Sequence, residues 1–457
     1  MQSNRSEVNS MGNVNLRKEG PWDSNAHIPL LPDQIEFCKD VAPSCLNPNK
    51  HAFTIRIHLP FDVAPNTFQS CIASLVAVHP ALGFAYERVH GASWRQYVCN
   101  ASPVTFLIDA ESVPGNERDA FVDEVAVGLV GLIDTRGPVS AFSLVRLGRK
   151  LGNVVMIAVH HLVADHASAG ILRRDLLALL GRGGARLDLR YSYVSSARSV
   201  YNYAYSPKVL GALAYWNSIA WDELAQLPEP AEFGPFLVPP RKALMSLPIP
   251  ASLLGRLIRE PNSYEGVLAL LAASLTNVFE AAMPVAVVHN GRAFNDSDRS
   301  RTPTFLVPPK TAANMVGWLT VTGLRILPKY MGQDWNSYVA SVAATEAHPT
   351  TWGLLRHISA PDEVERLAAT RGAGAKVWFN YTRSSTLAPP PPRGIAQVQR
   401  VDPFFRGIPI AIQARQHSDG LSLTLILDQD DEPYNSLGQA ILSSWHAIIA
   451  RLSAQLT

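Results

Sequence analysis

The residues best suited to chemistry are His160 and His161, which close an apolar run and are followed by Leu162-Val163-Ala164-Asp165. A neutral imidazole takes a proton from a nucleophile as it attacks a carbonyl, and its ordinary pKa near neutrality suits that exchange, for a typical rate gain of ~10²–10⁴. Adjacent residues of an extended segment point to opposite faces, so one histidine turns to packing and the other to a cavity. One of His160 and His161 is the expected base and the other its support. Asp165 can bind backbone amides or an arginine and so fix the turn, or it can orient a histidine; the structural role is the expected one. A lone histidine on an apolar strand is most often a core residue, but here two follow the six apolar residues Val154 to Val159. No H-E-x-x-H or second ligand cluster completes a metal site, so no metal is expected. Nor does the chain contain a G-x-S-x-G elbow, a Walker loop or a dinucleotide fingerprint.

The elements that must hold these residues follow from periodicity. Val154 to Val159 reads as a buried strand, and Ser168 to Leu180 carries Ile171, Leu172, Leu176, Leu179 and Leu180 along one helical side before Gly181. The histidines are thus expected at a strand-to-helix turn. Upstream, Phe53 to Leu59 alternates as a strand and Thr67 to Val78 has helical spacing; between Gly181 and about Pro250 a connection with one helix, Leu210 to Ile219, is expected. Beyond it come helix Tyr264 to Ala282, strand Pro284 to His289, a strand near Trp318 to Ile326, helix Trp335 to Ala347 and strand Lys376 to Tyr381. Pro389 to Pro392 reads as a stiff loop, Leu421 to Leu427 as a strand and Ser436 to Leu456 as a closing amphipathic helix. Both halves are α/β.

Length and composition set bounds on the class of protein. The 457 residues are 47% hydrophobic and 17% charged, which describes a globular chain long enough for two lobes. A formal charge of +2 gives no reason to expect nucleic acid as a partner. Cys38, Cys45, Cys71 and Cys99 lack zinc or disulfide-framework spacing and are read as reduced thiols. No signal peptide or run of ~18 apolar residues appears, so a cytoplasmic, monomeric protein without membrane contact is expected. Residues 1–27 are expected to form a disordered or docking tail, 28–182 a first lobe, and 183–457 a second lobe with its linker.

The segment His160-His161-Leu162-Val163-Ala164-Asp165, followed by His166-Ala167-Ser168, resembles the HHxxxDG signature of the condensation domains of nonribosomal peptide synthetases, within the chloramphenicol-acetyltransferase-like superfamily. Further words in the same order extend the resemblance over roughly residues 29 to 457: Pro29-Leu30-Leu31-Pro32-Asp33-Gln34, Leu75 to Leu82, Leu213 to Trp216, Asn290-Gly291-Arg292, Met315-Val316-Gly317-Trp318, Ala347-His348 and Phe379-Asn380-Tyr381. The resemblance implies two acetyltransferase-like lobes in a V-shaped pseudo-dimer, with His161 at the centre of a tunnel as the catalytic residue, a proton acceptor or positioning group, with His160 in support and Asp165 anchoring the loop by a salt bridge. It also implies an acyl or peptidyl carrier protein that presents the donor on its phosphopantetheine arm, with no bound cofactor, and a small amine or alcohol as acceptor. His166, where the signature has glycine, and Ser168 are the candidate acceptor-side residues. Heterocyclising relatives carry aspartate in place of the first histidine and epimerases an added glutamate before a His-Gly-Arg word; His160 and Val288-His289-Asn290-Gly291-Arg292 match neither. No adenylation motif or carrier attachment word is present, so the donor is expected on another polypeptide. The basic stretch Arg173, Arg174, Arg182, Arg186 and Arg190 is a candidate surface for an acidic carrier. Two alternatives stand beside trans-acting condensation: an acyltransferase using coenzyme A, and a catalytically silent carrier-recruiting module.

Overall fold

The computed structural model describes residues 28–43, 47–89, 94–99, 103–148, 151–181, 193–227, 242–250, 254, 263–289, 314–345, 349–383, 396–400, 410–417, 420–428 and 432–456. The expected tail 1–27, the proline run 389–392 and the boundary at 182/183 lie outside them.

The first half opens with a short helix, α1 (Pro32–Glu36), that runs into a π-helical turn, Phe37–Val41. There follow β1 (Ala52–Leu59), α2 (Pro65–Val78), a two-stranded ribbon of β2 (Phe84–Arg88) and β3 (Trp94–Val98), β4 (Val104–Asp109), α3 (Arg118–Gly131), β5 (Ser140–Arg146), β6 (Asn153–His160) and α4 (His166–Leu180). Two linker helices come next, α5 (Tyr193–Ala204) and α6 (Pro207–Ser218). The single helix expected between Leu210 and Ile219 is therefore the second of a pair. The first escapes notice because Tyr193-Val194-Ser195-Ser196-Ala197-Arg198-Ser199 is rich in poor helix formers, and packing rather than propensity makes it helical.

The second half contains β7 (Lys242–Pro250), α7 (Ser263–Phe279), β8 (Met283–His289), β9 (Val321–Leu327), α8 (Trp335–Ala344) and α9 (Pro349–Leu354). It ends with α10 (Pro361–Arg371), β10 (Val377–Arg383), β11 (Ala396–Arg400), β12 (Ile410–His417), β13 (Gly420–Asp428) and α11 (Glu432–Leu456). Two expectations are corrected here. The strand placed at Trp318 begins at Val321, because the chain bends at Gly317 and Trp318 to Thr320 join no ladder, and α8 stops at Ala344 rather than Ala347.

Two sheets organise the molecule, ordered β11-β1-β6-β5-β4 and β7-β13-β12-β10-β8-β9. β6 is buried along its whole length, as expected of a central strand covered on both faces. Its alternation divides it: Val154, Met156 and Ala158 join the small cluster under α3, while Val155, Ile157 and Val159 join the main core. That main core also takes in Tyr193 to Trp221 and Met315 to Ala373, so the odd-numbered face of β6 looks toward the second half of the chain. β11 pairs antiparallel with β1, Val398 opposite Ile55, and so adds a strand from the second half to the first sheet. A separate core fills the second sheet with Val267 to Leu275 of α7 and Ile441, Trp445 and Ile448 of α11. No described helix is long and apolar enough to cross a membrane. Cys38, Cys71 and Cys99 are free thiols.

Candidate active site

β6 delivers the histidine pair, and its alternation decides their fates. His160, on the even face, is completely buried. Its Nδ1 accepts the Leu162 amide at 3.0 Å and its Nε2 lies 3.0 Å from the Pro48 carbonyl, so the proton sits on Nε2 and the ring is neutral. Burial pushes its pKa down to about 4, against the raising influence of the Pro48 carbonyl and the Asp134 charge. A base in that state is a brace.

His161 opens a single 3-10 turn, His161–Val163, that the strand-to-helix expectation did not include. Its amide donates to the His51 carbonyl at 2.8 Å, one step beyond the pairing of Ala52 with His160, so the β1–β6 ladder runs on and His51 stands opposite His161. Opposed residues share a face, and the two imidazoles stack at 4.9 Å with planes 11° apart. Trp318 leans on His161 at 4.3 Å and Phe53 meets it edge-on at 5.8 Å. His161 is half-buried, on the face turned toward the second half of the chain.

Asp165 is the N-cap of α4, where a carboxylate meets both unpaired amides and the positive end of the helix dipole. Its Oδ1 accepts the Ser168 amide at 2.9 Å and its Oδ2 accepts the Leu319 amide at 3.1 Å. Asp165 thus binds backbone amides of both halves. Ser168, expected beside the acceptor, is fully enclosed instead: as the third residue of α4 its hydroxyl faces back into the cap. It receives the amides of Asp165 at 3.2 Å and Gly317 at 3.1 Å, and its one proton is shared between Asp165 Oδ1 at 2.9 Å and the Gly317 carbonyl at 3.1 Å. His166, the first residue of α4, is exposed.

A second grip comes from α1. Gln34 Nε2 donates to the Leu162 carbonyl at 2.7 Å and Tyr86 Oη donates to the same oxygen at 3.1 Å. Asp33 accepts the Thr322 amide at 2.8 Å and its hydroxyl at 3.2 Å, which ties α1 to the start of β9. The histidine loop is therefore held from the first half by Gln34 and Tyr86 and from the second by Gly317 and Leu319.

Arg174 is exposed and bonded to Asp175 at 2.7 Å and Asn314 at 2.7 Å, Arg173 is half-buried, and Arg182, Arg186, Arg190, Asn290 to Arg292 and His348 lie outside the described residues. Sequence reasoning missed His51 and Phe37. The alternation of β1 was visible, but its register against β6 was not, and register is what brings His51 to His161. Among the described residues no group of three or more His, Cys, Asp and Glu is placed to hold a metal ion.

Residues 28–236 match the family described as Condensation domain. A component of the linear gramicidin synthase of Brevibacillus parabrevis is 25% identical over 378 residues, covering 78% of this chain and 7% of that protein. The chain thus spans a small fraction of the length of that curated relative. Of solved structures, the condensation domain described for chain release from the enacyloxin polyketide synthase is similar with a TM-score of 0.68 at 17% identity, over 94% of this chain and 83% of that one. The SgcC5 protein of Streptomyces globisporus, solved with (R)-(-)-1-(2-naphthyl)-1,2-ethanediol and sucrose, is similar with a TM-score of 0.66 at 18% identity, over 93% of this chain and 99% of that one. The fold is the two-lobed, chloramphenicol-acetyltransferase-like fold of condensation domains.

Proposed function

We propose that this chain, which stands with the condensation domains by its matched N-terminal region and by its fold, transfers an acyl group from a carrier-bound thioester to an amine or alcohol, acting in trans in secondary metabolism. The observation that carries the reading is the setting of His161: half-buried, on the β6 face turned to the second half, in a loop gripped from both halves. The acceptor's nitrogen or oxygen attacks the thioester carbonyl while the His161 imidazole takes its proton. Collapse of the tetrahedral adduct expels the phosphopantetheine thiolate, which receives the proton, and leaves an amide or ester.

An alcohol needs that base more than an amine does, because a neutral amine already offers its lone pair. The diol held by SgcC5 supports an alcohol acceptor as one arm of the proposal. His160 and Asp165 serve the reaction by holding the loop, and the exposed His166 is the remaining acceptor-side candidate. The donor arrives on a separate acyl or peptidyl carrier, the acceptor through a tunnel between the lobes.

Mass spectrometry of an intact acylated carrier, incubated with the protein and a panel of amines and alcohols, tests the reading. The expected result is loss of the acyl mass with one acceptor class, and persistence of that mass when His161→Ala replaces the wild type. Normal turnover by His161→Ala removes the base from the mechanism. A parallel reaction with acyl-coenzyme A and no carrier distinguishes the two donors. Persistence of the acyl mass with every acceptor, and no turnover of acyl-coenzyme A, would leave the carrier-recruiting reading standing.

A further inference from the structure

We propose that His51 is a positioning residue for His161: the ring stack Phe37, His51, His161 sets the plane in which the imidazole meets the acceptor. The inference rests on His161 being the base. Phe37 stacks on His51 at 5.0 Å with planes 17° apart, and His51 stacks on His161 at 4.9 Å and 11°, so each ring lies nearly parallel to the next in an offset series that bends at His51. Trp318 lies beside these rings, 6.2 Å from Phe37, 5.8 Å from His51 and 4.3 Å from His161.

Each ring is brought there by a different element. Phe37 begins the π-helical turn after α1, whose wide hydrogen bond from the Ala42 amide to the Phe37 carbonyl spans 2.8 Å. His51 sits one residue before β1 and His161 one residue after β6, opposite each other in the continued ladder. Trp318 comes from the segment of the second half whose neighbours, Gly317 and Leu319, bond to Ser168 and Asp165. The histidine's plane is thus tied to the same contacts that join the two halves.

The physical need is clear. Rotation of an imidazole about its last torsion is soft, with broad minima, so backbone placement alone leaves the ring plane loosely defined. A proton-accepting nitrogen has to point at the acceptor within a few tenths of an ångström, and a misplacement of ~1 Å costs ~10²-fold in rate. The parallel ring of His51 against one face and the indole packed beside it restrict that rotation without occupying a ring nitrogen. His51 acts through its plane and volume, which phenylalanine shares and leucine, of similar size, does not.

The test compares His51→Phe with His51→Leu, each checked for an unchanged circular dichroism melt; His51→Met is the second non-planar replacement should the leucine variant unfold. The phenylalanine variant is expected to keep kcat within ~3-fold of wild type, and the leucine variant to lose ~10-fold or more in kcat with KM unchanged. Independently of turnover, ¹³C relaxation of selectively labelled histidine, with His161 assigned by loss of its signal in His161→Gln, is expected to show a rigid ring in wild type and His51→Phe and a mobile one in His51→Leu. A leucine variant as fast as wild type overturns the proposal. So does a phenylalanine variant as slow as the leucine one, which would make a ring nitrogen of His51 the active feature. An equally rigid His161 ring in the leucine variant also overturns it, and this arm decides even if no donor and acceptor pair is turned over.

Discussion

His160 remains neutral because its two ring nitrogens are committed to Pro48 and Leu162 and no water reaches it. With a folded pKa of about 4 against an ordinary 6.5, the unfolded chain binds more protons than the folded one between those values. Stability is therefore full above about pH 6.5 and is lost as pH falls toward 4, by about 3 kcal/mol from this residue. His289, whose Nε2 is enclosed and whose pKa burial and the Arg325 charge lower to about 3, acts in the same direction. Melting temperature measured from pH 7.5 to 4.5 should drop over that window and drop less in His160→Asn; parallel profiles would remove His160 as a cause. Asp165→Ala tests the other half of the loop. It strips the cap of α4 and the Leu319 contact, for an expected loss of ~1–3 kcal/mol in urea unfolding. An unchanged midpoint with lost transfer would instead make Asp165 a direct participant in the chemistry.

Elements decide what the residues face. A strand alternates whatever surrounds it, so the apolar run Val154 to Val159 already implied that His160 and His161 part company. Which of them meets the second half depends on α3 covering the even face and the main core the odd one. Gly317 shows the same dependence at closer range. A Cβ there would stand 2.4 Å from Cε2 of Tyr193 on α5, so the segment can approach Ser168 only without a side chain. Gly317→Ala is expected to cost ~1–3 kcal/mol, and the pair Gly317→Ala with Tyr193→Leu to recover part of that loss in thermal unfolding. Additive losses would mean that the clash is relieved elsewhere. The helix carrying Tyr193 was not legible in the sequence, since its residues form a helix only when Tyr193, Ala197 and Val200 are buried together.

At the scale of the whole molecule, the two halves share a core. The cluster that begins at Ile28 continues through Trp216, Trp318 and Trp352 to Ala373, and β11 lends a strand to the first sheet. A fragment limited to 28–182 is thus expected to expose apolar surface, bind a hydrophobic dye and melt without cooperativity, whereas the full chain gives a cooperative transition; a cooperatively folding, dye-silent fragment would show that the shared core is dispensable. The sequence by itself determined the α/β class, the strand ending in two histidines and the helix behind Asp165, because periodicity and capping are local and short-range sterics enforce them. The resemblance carried by His160 to Asp165 extended that to the two-lobed fold. Only the tertiary structure decided that His51 lies against His161, that Ser168 clasps Gly317, and that Asp165 directs its charge at amides of both halves. Those contacts join residues 110 to 154 positions apart or depend on a strand register, and neither is written in any local pattern.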